Sequence, residues 1–383
     1  MTITIIGWYG TETIGDRAIL AGIINLFSEI LPAFDIKLGS IVPEFSQRTL
    51  LEDSEYYIEI SNRRLNNISI FNSLAKRELK RAVKNSDLVI VGGGPLMDII
   101  PMYMLNYAFK YAKKKGIPTA IVGCGWGPLK TPEYISVAKS LVQHSDITIF
   151  RDSTSLNECL AHLNDAAHCD ANITTSAIDP AFFCADFYRK NKSDSAKEEY
   201  IAVNFRDISN DQYGGDSEKN EKMFTQIIKS IIDKYDIPVH LVPMHSYFIG
   251  GDDRSLFNKI AFSLKDARIK VHNDPPSLTE VMSLYKNARF CIGMRFHSIV
   301  LQTILNGKNI ILDYTDPSNG KIIGMMNELN LSTEYKNRYY SLINHNNDSI
   351  AITEPDTFEI KPDTLLSHKN TYKNLLRSLL GNG

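Results

Sequence analysis

The sequence predicts an α/β protein made of two doubly wound domains, on three observations. Short apolar runs of strand length alternate with amphipathic stretches of helix length in both halves of the chain. A polar, aperiodic stretch interrupts that alternation once, and the alternation then restarts. The 383 residues are too many for one ordinary core, and a composition 43% hydrophobic and 22% charged supplies enough apolar material for two.

In the first half the strand-like runs are Ile3–Ile6, Ile36–Leu38, Leu88–Val91, Thr119–Val122 and Ile147–Phe150. Between and after them lie helical patterns over Gly15–Ile30, Leu74–Val83 (a basic one), Met102–Lys113, Tyr134–Val142 and Ser153–Leu160. Strands separated by helical crossovers pair in parallel. Residues 186–199 read as the interdomain linker. The second half resumes with strands at Tyr200–Asn204, Val239–Val242, Ile269–Val271, Phe290–Ile292 and Ile310–Leu312. Its helices read as Met223–Tyr235, Leu256–Leu264, Leu278–Lys286 and Ile299–Leu305. The segment 333–361, with its Asn-His-Asn-Asn-Asp run, reads as irregular crossing chain. Leu365, Leu366, Tyr372, Leu375, Leu376, Leu379 and Leu380 then mark one face of a terminal helix. With only a modest cationic excess on its polar side, that helix is expected to pack back on the body rather than lie on a membrane. The expected domains are 1–185 and 200–332, both Rossmann-like and facing each other across a cleft, with 333–383 as crossing segment and terminal helix.

A net charge of −2 gives no general attraction to nucleic acid or to an anionic membrane, so phosphate recognition must be local. Five widely spaced cysteines without a C-x-x-C pair argue against a zinc knuckle or a disulfide scaffold. The N-terminus lacks a basic signal region, and no apolar run approaches the ~20 residues that span a bilayer. A cytoplasmic protein is expected. The sequence contains no H-E-x-x-H and no nucleophile elbow, and neither glycine-rich stretch fits a P-loop or a dinucleotide fingerprint. No metal and no cofactor are expected.

The densest chemistry lies in Arg289–Ser298, where an apolar strand runs into Gly293 and Arg295 and His297 open a helix. Such a corner sets both side chains and the free N–H groups of the helix beside an anion. Arg supplies a cationic fork and His a proton that moves near neutral pH. Arg151 and Arg206 also sit at strand ends. Arg151 either points into the cleft or pairs with Asp152 or Asp170. In the first half, Gly7-Trp8-Tyr9-Gly10, Gly92-Gly93-Gly94 with Asp98, and the loop around Trp126 each follow a strand, which suggests close approach of a ligand or of another domain. Trp8, Tyr9 and Trp126 offer sugar-stacking faces or are core filler. Asp16 either binds sugar hydroxyls or is an ordinary N-terminal helix acid.

In this order the residues resemble the polysaccharide pyruvyl transferase family: Gly7-x-x-Gly10 with Gly15-Asp16, the Gly92–Gly94 triplet with Asp98, Gly123-x-Gly-x-Gly-Pro128, Arg151-Asp152 with Ser155, Arg295-x-His297, and Tyr314 ahead of Lys321. The resemblance implies a glycosyltransferase-B-like fold and transfer of pyruvate from phosphoenolpyruvate to two hydroxyls of a sugar as a cyclic ketal. On that reading His297 exchanges the proton with Arg295 beside it. Arg206, Lys321 and Ser298 hold the donor in the second domain, where dipole and helix N–H groups favour phosphate, and Arg151 reaches across to it from the acceptor side. Trp8, Tyr9, Gly10, Asp16, Gly93, Gly94, Asp98 and Trp126 shape the acceptor side. It leaves open whether the acceptor sugar is lipid- or nucleotide-linked, whether the protein rests peripherally on the inner membrane face, and its oligomeric state. A nucleotide-sugar glycosyltransferase and a scaffold without turnover are the alternatives.

Overall fold

The computed structural model describes residues 1–163, 173–193, 198–208, 217–249, 251–343 and 350–381. The chain forms two compact units. Unit 1 comprises Met1–Thr11, Gly15–Cys184 and Lys361–Gly383, and unit 2 comprises Glu12–Ile14 and Ala185–Ile360.

Unit 1 holds strands β1 (Thr2–Ile6), β2 (Phe34–Ser40), β3 (Leu65–Asn72), β4 (Leu88–Gly92), β5 (Pro95–Leu96), β6 (Thr119–Trp126), β7 (Ile147–Phe150) and β8 (Ile173–Ser176). They pair in parallel in the order β3-β2-β1-β4-β6-β7-β8, with β5 beside β6. The connecting helices are α1 (Ile14–Ser28), α2 (Pro43–Ile60), α3 (Lys76–Lys84), α4 (Met102–Lys114), α5 (Pro132–Gln143) and α6 (Ser153–Leu163), and α7 (Ala181–Asn191) leads into unit 2. β4 reads Leu-Val-Ile-Val-Gly without alternation because helices cover both faces of a parallel sheet, and all five residues are buried.

Unit 2 repeats the plan with β9 (Glu198–Val203), β10 (Val239–Leu241), β11 (Ile269–Val271), β12 (Ala288–Gly293), β13 (Asn309–Asp313) and β14 (Tyr339–Ser341). All pair in parallel, in the order β11-β10-β9-β12-β13-β14. Its helices are α8 (Ser217–Tyr235), α9 (Asp253–Leu264), α10 (Leu278–Asn287), α11 (Phe296–Leu305) and α12 (Lys321–Glu328). The last helix, α13 (Pro362–Gly381), groups with unit 1.

The sequence expectation held no counterpart of β5, β8 or α12, and three further stretches differ from it. α2 and β3 escaped it, because α2 buries Asp53 along with Tyr56, Tyr57 and Ile60, and Arg17 neutralises that carboxylate at 2.6 Å. Half of the expected linker is helical: α7 continues to Asn191, helped by Arg189 and Lys190 reaching back to Asp186. Part of the expected irregular segment is β14, an edge strand on β13, while its Asn-His-Asn-Asn-Asp run lies outside the described residues. On α13 the buried stripe is Leu365, Tyr372 and Leu376, whereas Leu366 is exposed. The Tyr372 hydroxyl donates to the Ile178 carbonyl at 2.8 Å and its ring meets Phe183 edge-on, while Lys369 and Lys373 pair with Glu29.

The Gly92–Gly94 triplet admits aromatic side chains. A Cβ on Gly94 would lie 2.2 Å from the Trp8 ring, and one on Gly93 3.4 Å from Tyr9, both at positive φ. Gly94→Ala should therefore cost about 2–4 kcal/mol, left-handed strain adding to a clash with a packed ring. Gly116, with a similar φ and open space around it, should lose only about 1 kcal/mol as Ala. Urea unfolding of the two variants checks the ranking.

Candidate anion-binding site

Each sheet has a switch point where successive connections leave in opposite directions, between β1 and β4 in unit 1 and between β9 and β12 in unit 2. Ligands of open α/β sheets bind outside the carboxyl ends of the strands at such a point. The two units treat theirs differently.

In unit 2, Asn204 directly follows β9 and is fully buried. Its amide donates to the Val242 carbonyl at 3.0 Å, and its Oδ1 accepts from the Arg295 backbone N–H at 3.1 Å. It thus joins the ends of β9, β10 and β12. Arg295 is the N-cap of α11, and its Nε lies 2.9 Å from each carboxylate oxygen of Asp253 and its Nη2 2.6 Å from Oδ1. The Asp253 carboxylate also accepts from the backbone N–H groups of Met244 (3.0 Å) and His245 (3.1 Å). The fork expected to clamp an incoming anion is therefore held, through Nε and Nη2, by a carboxylate of its own unit. Ser298, expected to hold the donor, is fully buried, and its hydroxyl closes the first turn of α11 on the Arg295 carbonyl at 2.7 Å. His297 is half-buried in that turn, its ring edge-on to Phe296 with centroids 5.1 Å apart.

Two further cations gather one strand over. Tyr314 follows β13, and its buried oxygen accepts from Arg206 Nη1 and Lys321 Nζ, each at 2.9 Å. The Arg206 guanidinium also lies over the Tyr314 ring, 4.7 Å from its centroid. Asp313 fixes the turn, accepting from the Thr315 N–H (2.7 Å) and hydroxyl (2.6 Å) and from the Tyr339 hydroxyl (2.8 Å). Burial alone would push the Tyr314 phenol up, but Lys321 and Arg206, with Arg295 behind them, outweigh it and bring it down to about 7. Burial holds the Asp313 carboxyl above its ordinary value. Adjacent strands β9, β12 and β13 thus bring Arg206, Arg295, Tyr314 and Lys321 together, an arrangement suited to a multiply charged anion. Sequence reasoning gave no role to Asn204, Asp253 or Tyr314. The signal was present in the acids Asp252-Asp253 after Met244-His245 and in a Tyr seven residues before a Lys.

In unit 1 the residues expected on the acceptor side are packed into the switch point. Trp8 is 5% exposed and donates its indole N–H to the Pro95 carbonyl at 2.9 Å. Tyr9 is 4% exposed, and burial with Asp16 nearby pushes its phenol up. Trp126 is 6% exposed, edge-on to Phe150 and tilted against His162. Of the two readings the sequence left open, the packing of these rings matches core filler. Gly10 (φ 83°) packs on Ser40 and Val42. Asp98 holds the turn into α5 through the N–H groups of Lys130 and Thr131 and the Thr131 hydroxyl. Asp16 is buried in the first turn of α1 and accepts from Thr11 at 3.1 Å. Arg151 is buried against Gly125, 3.7 Å from Asp152 and 3.9 Å from Asp179, so its charge is met inside unit 1. Its other expected partner, Asp170, lies outside the described residues.

The sequence matches the family described as polysaccharide pyruvyl transferase over residues 14–317. No curated protein matches the chain. Among solved structures, the UDP-N-acetylglucosamine 2-epimerase of Rickettsia bellii is similar at 12% identity and TM-score 0.53, over 100% of this chain and 96% of that one. UGT73P12 of Glycyrrhiza uralensis, complexed with glycyrrhetinic acid 3-O-monoglucuronide, aligns at 7% identity and TM-score 0.52, over 99% and 90%. S. aureus MnaA, in a co-structure with UDP, aligns at 12% identity and TM-score 0.50, over 82% and 79%. At these identities the likeness is one of fold, that of the glycosyltransferase-B enzymes and related epimerases.

Asp253→Ala should destabilise the protein by about 3–5 kcal/mol, because it leaves the Arg295 charge buried without its partner. Denaturant unfolding checks this, and a loss below about 1 kcal/mol would mean that Arg295 is solvated some other way. A phenol titrating near neutrality should be visible in the near-ultraviolet absorbance of the folded protein and absent in Tyr314→Phe. The sign follows from the depressed value. Between about 7 and the unfolded phenol's ~10 the unfolded state binds the extra proton, so Tyr314 adds stability as pH rises, and that contribution is lost as pH falls through about 7.

Proposed function

Because the chain belongs to the polysaccharide pyruvyl transferase family, we propose that it transfers pyruvate from phosphoenolpyruvate to two hydroxyls of a sugar, forming a cyclic ketal on a cell-surface polysaccharide or its precursor. The observation that carries the reading is the cation pair Arg206 and Lys321 converging on the Tyr314 oxygen, one strand over from the switch point of unit 2. A dianionic phosphate has the charge and oxygen geometry to take the place of that oxygen.

The reaction balances without a redox cofactor. Protonation of the enol methylene creates the methyl group and leaves a cationic carbon. One sugar hydroxyl attacks that carbon and loses its proton. The carbon–oxygen bond to phosphate breaks, and the second hydroxyl closes the ring as its proton leaves with phosphate. His297, in the first turn of α11, exchanges the proton. Arg206 and Lys321 hold the phosphate as negative charge grows on the departing oxygen. Arg295 acts through Asp253 and Asn204, positioning His297 rather than clamping the donor. Phosphate bound to the two cations displaces the phenolate form of Tyr314, so donor binding is coupled to uptake of a proton.

Phosphate release from phosphoenolpyruvate with a panel of glycan acceptors, with product mass, tests the reading. His297→Ala should lower turnover on the order of 10²-fold or more while remaining folded. Arg206→Ala and Lys321→Ala should mainly weaken donor binding. Affinity for phosphoenolpyruvate should fall as pH rises above about 7 in the wild type and vary much less in Tyr314→Phe. Thermal stabilisation by nucleotide sugars but not by phosphoenolpyruvate would favour a glycosyltransferase instead.

A further inference from the structure

We propose that the outer face of α3 and α4 in unit 1 docks on an anionic lipid bilayer. Five of the nine residues of α3 are cationic, Lys76, Arg77, Lys80, Arg81 and Lys84, and all five are exposed. α4, packed beside it, adds exposed Lys110 and closes with the exposed run Lys113–Lys115. The acids nearby are already engaged: Glu78 accepts from the Asn72 N–H at 2.8 Å, and Asp146 pairs with Lys113 at 2.6 Å. In a chain of net charge −2, such a concentration of cations on two helices leaves the remainder distinctly acidic, so the attraction has a direction.

Charge alone would be an ordinary solvated face. Two further observations select a bilayer. The helices run side by side in the same direction, since Lys76 lies 4.9 Å above the Tyr107 ring and Lys80 5.5 Å above Tyr111, which sets amphipathic tyrosines among the lysines as at a headgroup boundary. At the N-terminal ends of both helices, large apolar side chains stand out: Leu74 is 41% exposed, Ile100 75% and Tyr103 38%. Leu74 and Pro101 line one small crevice, so this apolar tip is continuous across the two helices. Cations that meet headgroups beside an apolar tip that enters the acyl boundary are the two components of peripheral binding. Single-stranded nucleic acid suits the face less well, because ammonium groups cover the tyrosine rings that bases would stack on.

The proposal stands independently of the reaction argued above. Flotation of the full chain with vesicles of phosphatidylcholine alone, and with phosphatidylglycerol added, tests it. Binding is expected only to the anionic vesicles and should weaken with salt. The triple substitution Lys80→Glu, Arg81→Glu, Lys84→Glu should lower partitioning on the order of 10²-fold or more. Ile100→Ser should weaken binding while preserving its salt dependence. Lys110→Gln with Lys114→Gln, which changes exposed side chains alone, should lower binding in a protein of unchanged melting temperature. Absence of binding to anionic vesicles, full binding by the triple variant in its folded state, or tighter binding to a single-stranded oligonucleotide at the same salt would overturn it.

Discussion

The pairing of Arg295 with Asp253 is the constraint on which the rest of unit 2 depends. Both side chains are nearly removed from water, and a buried charge left alone would cost several kcal/mol. The carboxylate answers this by taking the guanidinium in two-pronged fashion while accepting two backbone N–H groups from the segment after β10. Asn204 adds the third strand by binding the Arg295 N–H. One carboxylate and one amide thereby fix where β9, β10 and β12 end. His297, two residues beyond Arg295, inherits that placement.

Once those ends are fixed, the neighbouring cluster follows from a balance of opposing effects. A buried tyrosine ordinarily resists ionisation, and Tyr335, whose hydroxyl bonds only the neutral Thr303 and Asn309 side chains, follows that rule: burial outweighs the nearby Arg338 and pushes it above its ordinary value. Tyr314 breaks it because two cations donate to its oxygen and one of them also lies over its ring. The cations in turn stay ordered in a small space because the phenol can carry part of the countercharge. An anionic ligand competes for that role, so its affinity and the protonation of Tyr314 are linked in both directions.

The alternation of apolar runs made the two parallel sheets legible, because central parallel strands are apolar on both faces and helices between them keep a 3.6-residue period. Among what escaped were elements whose period is masked by paired charge or by an edge position. α2 hides a buried Asp53 that only Arg17 renders tolerable, and β3 and β14 lie at sheet edges where one side remains polar. At the site, residue type and strand-end position marked Arg206, Arg295 and His297 from the chain alone. The partner of each Arg could not be read the same way. Asp253 and Tyr314 lie 42 and 108 residues from the arginines they bind, and nothing local distinguishes an Arg aimed at a ligand from one aimed at a distant carboxylate.

The glycine loops show the same ambiguity from the opposite side. A glycine with positive φ after a strand means that something approaches closely, and the sequence is silent on what does so. In unit 1 it is the chain itself: Gly94 and Gly123, both at positive φ, lie against Trp8 and Pro180, and Gly125, without a positive φ, lies against Arg151. Two sheets of one strand order have therefore spent their switch points differently. Unit 1 fills its own with Trp8 and Tyr9, whose burial adds apolar area and rigidity, whereas unit 2 lines its own with Arg206, Tyr314 and Lys321, whose mutual charge calls for an anion. Cations crowded together favour a bound anion more than they favour stability.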